Sequence, residues 1–135
     1  MSSEPRLRVL VVDDTDHVRT MLVTMLELDG FAVAGCAQGG AAAVASADDF
    51  DPHVVVIDYK MPGPDGLTTA RALRQARPNQ VIVLYSAYLD RTLEEQARAA
   101  GVAVCVGKVE GLTTLERHIT ELCRDLDPAP RPGLT

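Results

Sequence analysis

Short stretches that are apolar on both faces constrain this chain more than any other feature. Leu7 to Val12, broken only by Arg8, Val54 to Ile57 and Val81 to Tyr85 are such runs, and Val102 to Val106 is a weaker one. A strand without polar alternation belongs in the interior of a sheet covered on both sides, which is the parallel arrangement. Phe31 to Ala37 is small and less apolar, as an edge strand can be. Between the runs lie segments of helical period. Val18, Met21, Leu22, Met25 and Leu26 make one apolar face, and Leu112, Leu115, Ile119, Leu122 and Leu126 make another. Ala41 to Ala47, Leu67 to Ala76 and Arg91 to Ala100 are Ala-rich and end near Gly or Pro. Five strands alternating with five helices require right-handed crossovers and helices on both faces. The predicted class is an α/β, doubly wound parallel sheet.

A chain of 135 residues fits one domain. We expect residues 1–5 to be an N-terminal extension and residues 6–126 the folded unit. Residues 127–135, DPAPRPGLT, are expected to form a disordered tail or the start of a linker. With 13 basic and 19 acidic residues the net charge is −6, which argues against direct binding to nucleic acid or to an anionic membrane. Cys36, Cys105 and Cys123 are widely spaced, and they read as free buried thiols in a reducing compartment. No apolar run approaches the roughly 20 residues of a membrane span, so a cytoplasmic protein is expected.

In an open α/β sheet, ligands gather outside the carboxyl ends of the strands. Asp13, Asp14, Thr15 and Asp16 follow the first apolar run, Asp58 the third, Ser86 the fourth and Lys108 the fifth. Asp13 to Asp16 could simply cap the next helix, and Asp58 could be an ordinary residue before the turn Met61-Pro62-Gly63-Pro64-Asp65-Gly66. Neither reading explains why each position stands directly after its own run. Two carboxylates about 4 Å apart repel by roughly 4 kcal/mol at an effective dielectric of 20, and a divalent cation removes that cost. A small hard ion held by carboxylates and waters is the Mg²⁺ pattern, its shell commonly completed by phosphate oxygens. Lys108 and the Ser86 hydroxyl would then face the remaining phosphate oxygens, and Asp58 is the candidate nucleophile.

Asp13-Asp14, Asp58 with Met61-Pro62-x-x-Asp65-Gly66, Ser86-Ala87 and Lys108 together resemble the receiver domain of bacterial two-component response regulators. The resemblance spans residues 6 to about 126. It implies a flavodoxin-like sheet of order 2-1-3-4-5 and Mg²⁺-dependent phosphotransfer to Asp58 from a histidine kinase or phosphotransfer protein. It also implies metal ligation by Asp13 or Asp14, Asp58 and the backbone carbonyl of Lys60, with Ser86 and Lys108 reading out the phosphorylated state. The expected response is a rearrangement of the fourth helix, fifth strand and fifth helix, acting on a downstream protein effector or a separate output domain. The Leu112-to-Leu126 spacing suits a homodimer seam through that same face as well as packing on the sheet, and packing is the expectation.

Two positions depart from the family. Cys105 stands where an aromatic ring is usual, so either Tyr88, two residues past Ser86, or no residue at all takes over the readout. Val109 replaces the proline that usually follows the lysine, joined by a cis bond. A cis peptide costs about 2.5–4 kcal/mol at a non-proline residue, so a trans bond and a re-routed loop through Gly107 are expected. Lys60 and Tyr88 would flank the approach of water to a phosphorylated Asp58. These departures motivate a rival, a non-phosphorylated interaction module on the same fold. A more remote rival is a haloacid-dehalogenase-like phosphatase using Asp14-x-Asp16, which lacks the further acidic pair such enzymes need. Gly101-x5-Gly107-Lys108 has the wrong spacing for a P-loop, and His17, His53 and His118 have no metal-ligand spacing.

Overall fold

In a computed structural model of the chain, which describes residues 6–61, 63 and 65–124, the apolar runs form a five-stranded parallel sheet. The strands are β1 (Arg8–Val12), β2 (Ala32–Cys36), β3 (Val54–Asp58), β4 (Val81–Ser86) and β5 (Val104–Gly107). They are joined by helices α1 (Asp16–Leu28), α2 (Ala41–Phe50), α3 (Gly66–Ala76) and α4 (Arg91–Ala99), and α5 (Leu112–Leu122) follows β5. The order is β2-β1-β3-β4-β5, so the sense in which successive strands are added reverses at β1, between β2 and β3. This is the expected flavodoxin-like arrangement, and the small, less apolar β2 is an edge.

Alternation along each strand divides the core in two. Leu10, Val12, Val55, Ile57, Ile82 and Leu84 point to one face, against Ala43 and Ala47 of α2, Ala70 and Leu73 of α3, and Leu93 and Ala97 of α4. Val9, Val11, Val54, Val56, Val83 and Val106 point to the other, against Leu22 and Leu26 of α1 and Leu115 and Ile119 of α5. Burial of each such side chain contributes roughly 1.5–3 kcal/mol, and alanines let three helices lie close on the first face.

Helix α1 departs from expectation. Leu22 and Leu26 are buried, but Met21 and Met25 are 55% and 43% exposed. At 3.6 residues per turn, the positions preceding Leu22 and Leu26 sit about 100° round the helix, so the buried stripe is narrower than the apolar pattern. On α5, Leu115 and Ile119 pack on the sheet, Leu112 and Leu122 are half-buried beside them, and Leu126 lies outside the described residues. The 127–135 tail and the 1–5 extension also lie outside them. Cys36 and Cys123 are buried as expected, whereas Cys105 is only half-buried, on the strand at the sheet's other edge.

The amino end of the sheet is fastened by a polar network. Asp51 ends α2 in the left-handed conformation, with φ at 52°, and its carbonyl accepts from Arg8 Nε at 2.8 Å. Arg77 Nη2 donates to Asp51 Oδ1 at 2.6 Å, and Arg77 Nε donates to Gln80 Oε1 at 2.8 Å. The buried Gln80 amide donates to the carbonyl of Pro52 at 3.1 Å. His53 belongs to this network and not to a metal site: its Nδ1 accepts from the Arg8 N–H at 2.9 Å.

Candidate metal centre at the carboxyl edge of the sheet

Asp13 is the first residue beyond β1 and continues the pairing with β2, its N–H donating to the Cys36 carbonyl at 3.0 Å. Its side chain turns inward and is only 2% exposed. One carboxylate oxygen accepts from the Thr15 N–H at 2.9 Å. Thr15 is the N-cap of α1, and its side chain makes no capping bond. Asp58 closes β3, paired in register with Tyr85 of β4. The first turn of α3 lies directly beneath it: a Cβ at Gly66 would stand 2.8 Å from the Asp58 carbonyl oxygen.

The separate strand ends converge. Asp13, Asp14 and Asp58 each offer a carboxylate oxygen within 4.8 Å of the others. Such an all-oxygen set, one member buried and two half-buried, fits a small hard divalent cation. Lys108 Nζ lies 3.5 Å from Asp58 Oδ1 and 5.8 Å from the centroid of the Tyr85 ring. Burial pushes the Asp58 carboxyl above its ordinary range. Lys108 opposes that shift, Asp13 adds to it, and hydrogen bonds from the Lys60 backbone and the Lys108 side chain oppose it again. Asp16 stands apart from the three: it is ion-paired with Arg19 and its side chain is 87% exposed. The Asp14-x-Asp16 phosphatase reading therefore lacks its second acid.

Residues 9–120 match the sequence family of the response regulator receiver domain. The chain belongs to that family. Over 114 residues the receiver domain is 36% identical to the response regulator GacA of Pseudomonas protegens, covering 84% of this chain and 54% of that protein. Over 129 residues it is 40% identical to protein-glutamate methylesterase/protein-glutamine glutaminase 6 of Anaeromyxobacter dehalogenans, covering 91% of this chain and 37% of that protein. It thus spans about half or less of these curated relatives. A crystal structure of the response regulator TrrA of Thermotoga maritima in complex with Mg²⁺-BeF superposes with a TM-score of 0.76 at 26% identity, covering 86% of this chain and 98% of that one.

The remaining expected residues of the receiver site fall into two groups. Ser86 is buried at the end of β4, but its hydroxyl is engaged by its own loop, donating to the Tyr88 carbonyl at 2.8 Å and accepting from the Tyr88 N–H at 3.3 Å. Tyr88 is 75% exposed, and the Lys60 ammonium lies 5.4 Å from its ring centroid. Lys60, Ser86 and Tyr88 line a cleft of about 210 Å³ together with Tyr59, Asp90 and Gln96. Cys105 pairs in register with Leu84 and packs against the α4 side of the core, where burial first and Glu94 second push its thiol upward.

The Lys108–Val109 peptide is trans, as expected, and leads into a single 3-10 turn, Lys108–Glu110. Glu110 holds that turn by accepting from the Gly107 N–H at 2.8 Å, and Val109 projects 91% exposed. Sequence reasoning missed Glu110, Tyr85 and Arg19. The first has a signal, an acid three residues after Gly107; the other two look like ordinary strand and helix residues.

Proposed function

We propose that this receiver domain accepts a phosphoryl group on Asp58 in a Mg²⁺-dependent reaction and that the modified state favours a different arrangement of α4, β5 and α5. The observation that carries this reading is the convergence of Asp13, Asp14 and Asp58, with Lys108 against Asp58. An Asp58 carboxylate oxygen attacks the donor phosphorus, forming the O–P bond as the N–P bond of a phosphohistidine breaks and its electron pair returns to the imidazole. When bound, Mg²⁺ supplies charge neutralisation for the carboxylates and the phosphoryl oxygens. Asp13, Asp14, Asp58 and the Lys60 carbonyl would hold it. Lys108 faces the phosphoryl charge, and Ser86 gives up its bond to the Tyr88 carbonyl to donate to a phosphoryl oxygen. Exchange of one hydrogen bond for another is a small bias between two packings, which is how a new charge operates a switch. The Mg²⁺-BeF complex of TrrA supports the ligand class.

Lys60 and Tyr88, in contact across the mouth of the cleft, screen the approach of hydrolytic water to the acyl phosphate. A histidine kinase or phosphotransfer protein is the donor, and a protein effector or a separate output domain receives the signal; the relative named protein-glutamate methylesterase/protein-glutamine glutaminase 6, of which the match covers 37%, supports a separate output domain. The non-phosphorylated module is favoured by one set of observations, the half-buried Cys105 and the self-engaged Ser86. Intact-mass measurement after treatment with acetyl phosphate and Mg²⁺ decides between them. A single phosphoryl adduct absent from Asp58→Asn is expected, and no adduct on the wild type establishes the non-phosphorylated module.

A further inference from the structure

Asp13 is held by a residue outside the carboxylate cluster. Arg19, one turn into α1, folds back so that Nη1 donates to the Asp13 carbonyl at 2.7 Å while Nη2 pairs with Asp16. Its side chain is 18% exposed although that of its ionic partner is 87% exposed, so packing of the stem places the guanidinium along with the ion pair. The packing is against Gly35 of the edge strand. A Cβ on Gly35 would lie 3.2 Å from Arg19 Cδ, 3.3 Å from Arg19 Cγ and 3.5 Å from Val23 Cγ2. Gly35 does not have the positive φ that favours glycine, and glycine weakens a strand interior. What glycine provides at this position is room for the stem of Arg19.

We infer that Arg19 is a positioning residue for the metal centre: crossing β2 at Gly35, it clamps the Asp13 carbonyl and so sets the β1–α1 loop with Asp13 and Asp14 facing Asp58. The inference rests on the metal-dependent reading above. Asp13 then has its N–H tied to β2, its carbonyl to α1 and one carboxylate oxygen to the Thr15 N–H. That leaves the carboxylate little freedom except toward the cluster. Groups that orient ligands in this way set affinity for the ion without touching it.

Charge and position act in opposite directions here, which makes the inference testable. A cation near the cluster disfavours a second cation, so removing Arg19 strengthens Mg²⁺ binding if only its charge matters. If it positions Asp13, removal weakens binding. Mg²⁺ affinity is measured by isothermal titration calorimetry on the wild type, Arg19→Met, Arg19→Lys and Gly35→Val, the last displacing Arg19 at constant charge. We expect weakening by about 10- to 100-fold in Arg19→Met, a loss of the same sign in Gly35→Val, and partial recovery in Arg19→Lys. Amide NMR spectra without metal serve as the second readout, with the Thr15 resonance moving in Arg19→Met and that of Gln80, at the far end of the sheet, staying in place. Affinity equal to or tighter than wild type in Arg19→Met or Gly35→Val overturns the inference alone. A wild type that binds no Mg²⁺ overturns the metal-dependent reading together with it.

Discussion

The Lys108 ammonium lies 3.5 Å from Asp58 Oδ1 and supplies the counter-charge to a cluster whose other members are acids. Replacing it isolates that contribution. In Lys108→Ala, burial and Asp13 still raise the Asp58 carboxyl while the principal opposing influence is gone. The Asp58 side chain should therefore titrate at higher pH than in the wild type. Carboxyl-detected NMR without divalent cations reads this directly, and an unmoved titration would show that solvent already screens the pair.

The same raised carboxyl links site and stability. The fold favours the protonated form of Asp58, so its contribution is fully present below the ordinary carboxylate range and is lost as pH rises through the raised value. Without metal, Asp58→Asn should be more stable than the wild type at pH 7, with the gap closing on acidification. Mg²⁺ at a hundredfold excess over its Kd should add about 2.7 kcal/mol to the wild type and much less to the variant. Urea denaturation with and without chelator measures both.

A second acidic contact lies away from the site. Glu116 of α5 faces Asp29 at the end of α1, and one of its oxygens is buried with no hydrogen-bond partner. Burial, then Asp29, pushes Glu116 up to about 7. An acid raised in the fold stabilises it below the unfolded value and ceases to do so as pH climbs through the folded one. The wild type should lose stability between about pH 4.5 and 7, a window that Glu116→Gln should flatten. Thermal midpoints across that range decide it, and parallel curves would show the pair to be inert.

Gly66 is the tightest close approach near the site. A methyl group there would meet the Asp58 carbonyl oxygen and Tyr59 Cα, each at 2.8 Å, both backbone atoms that cannot rotate away. Overpacking of this kind costs about 1–3 kcal/mol. Gly66→Ala should show that loss in chemical denaturation, together with shifted Asp58 and Tyr59 amides. Unaltered amides would mean that α3 moves instead of β3.

Runs of apolar residues made the sheet legible, because only a doubly covered strand tolerates Val54 to Ile57 without a polar break. The placement of Asp13, Asp58 and Lys108 was legible for a related reason: each ends or follows a run, and parallel strands end on one side. Orientation was not. Whether the Ser86 hydroxyl faces Asp58 or Tyr88 depends on the loop after β4, and no periodicity encodes it. Arg19 was invisible because its partner Gly35 lies outside its own helix, on β2, and the Met21–Met25 stripe misled because apolar composition does not say how wide a helix face the sheet can cover.

The clasp of Arg8, Asp51, Arg77 and Gln80 sits at the opposite end of the strands from the acidic cluster. A frame bolted at its base can have its rim re-cut. Val109, 91% exposed at that rim, is where a foreign loop could be spliced in without loosening the base.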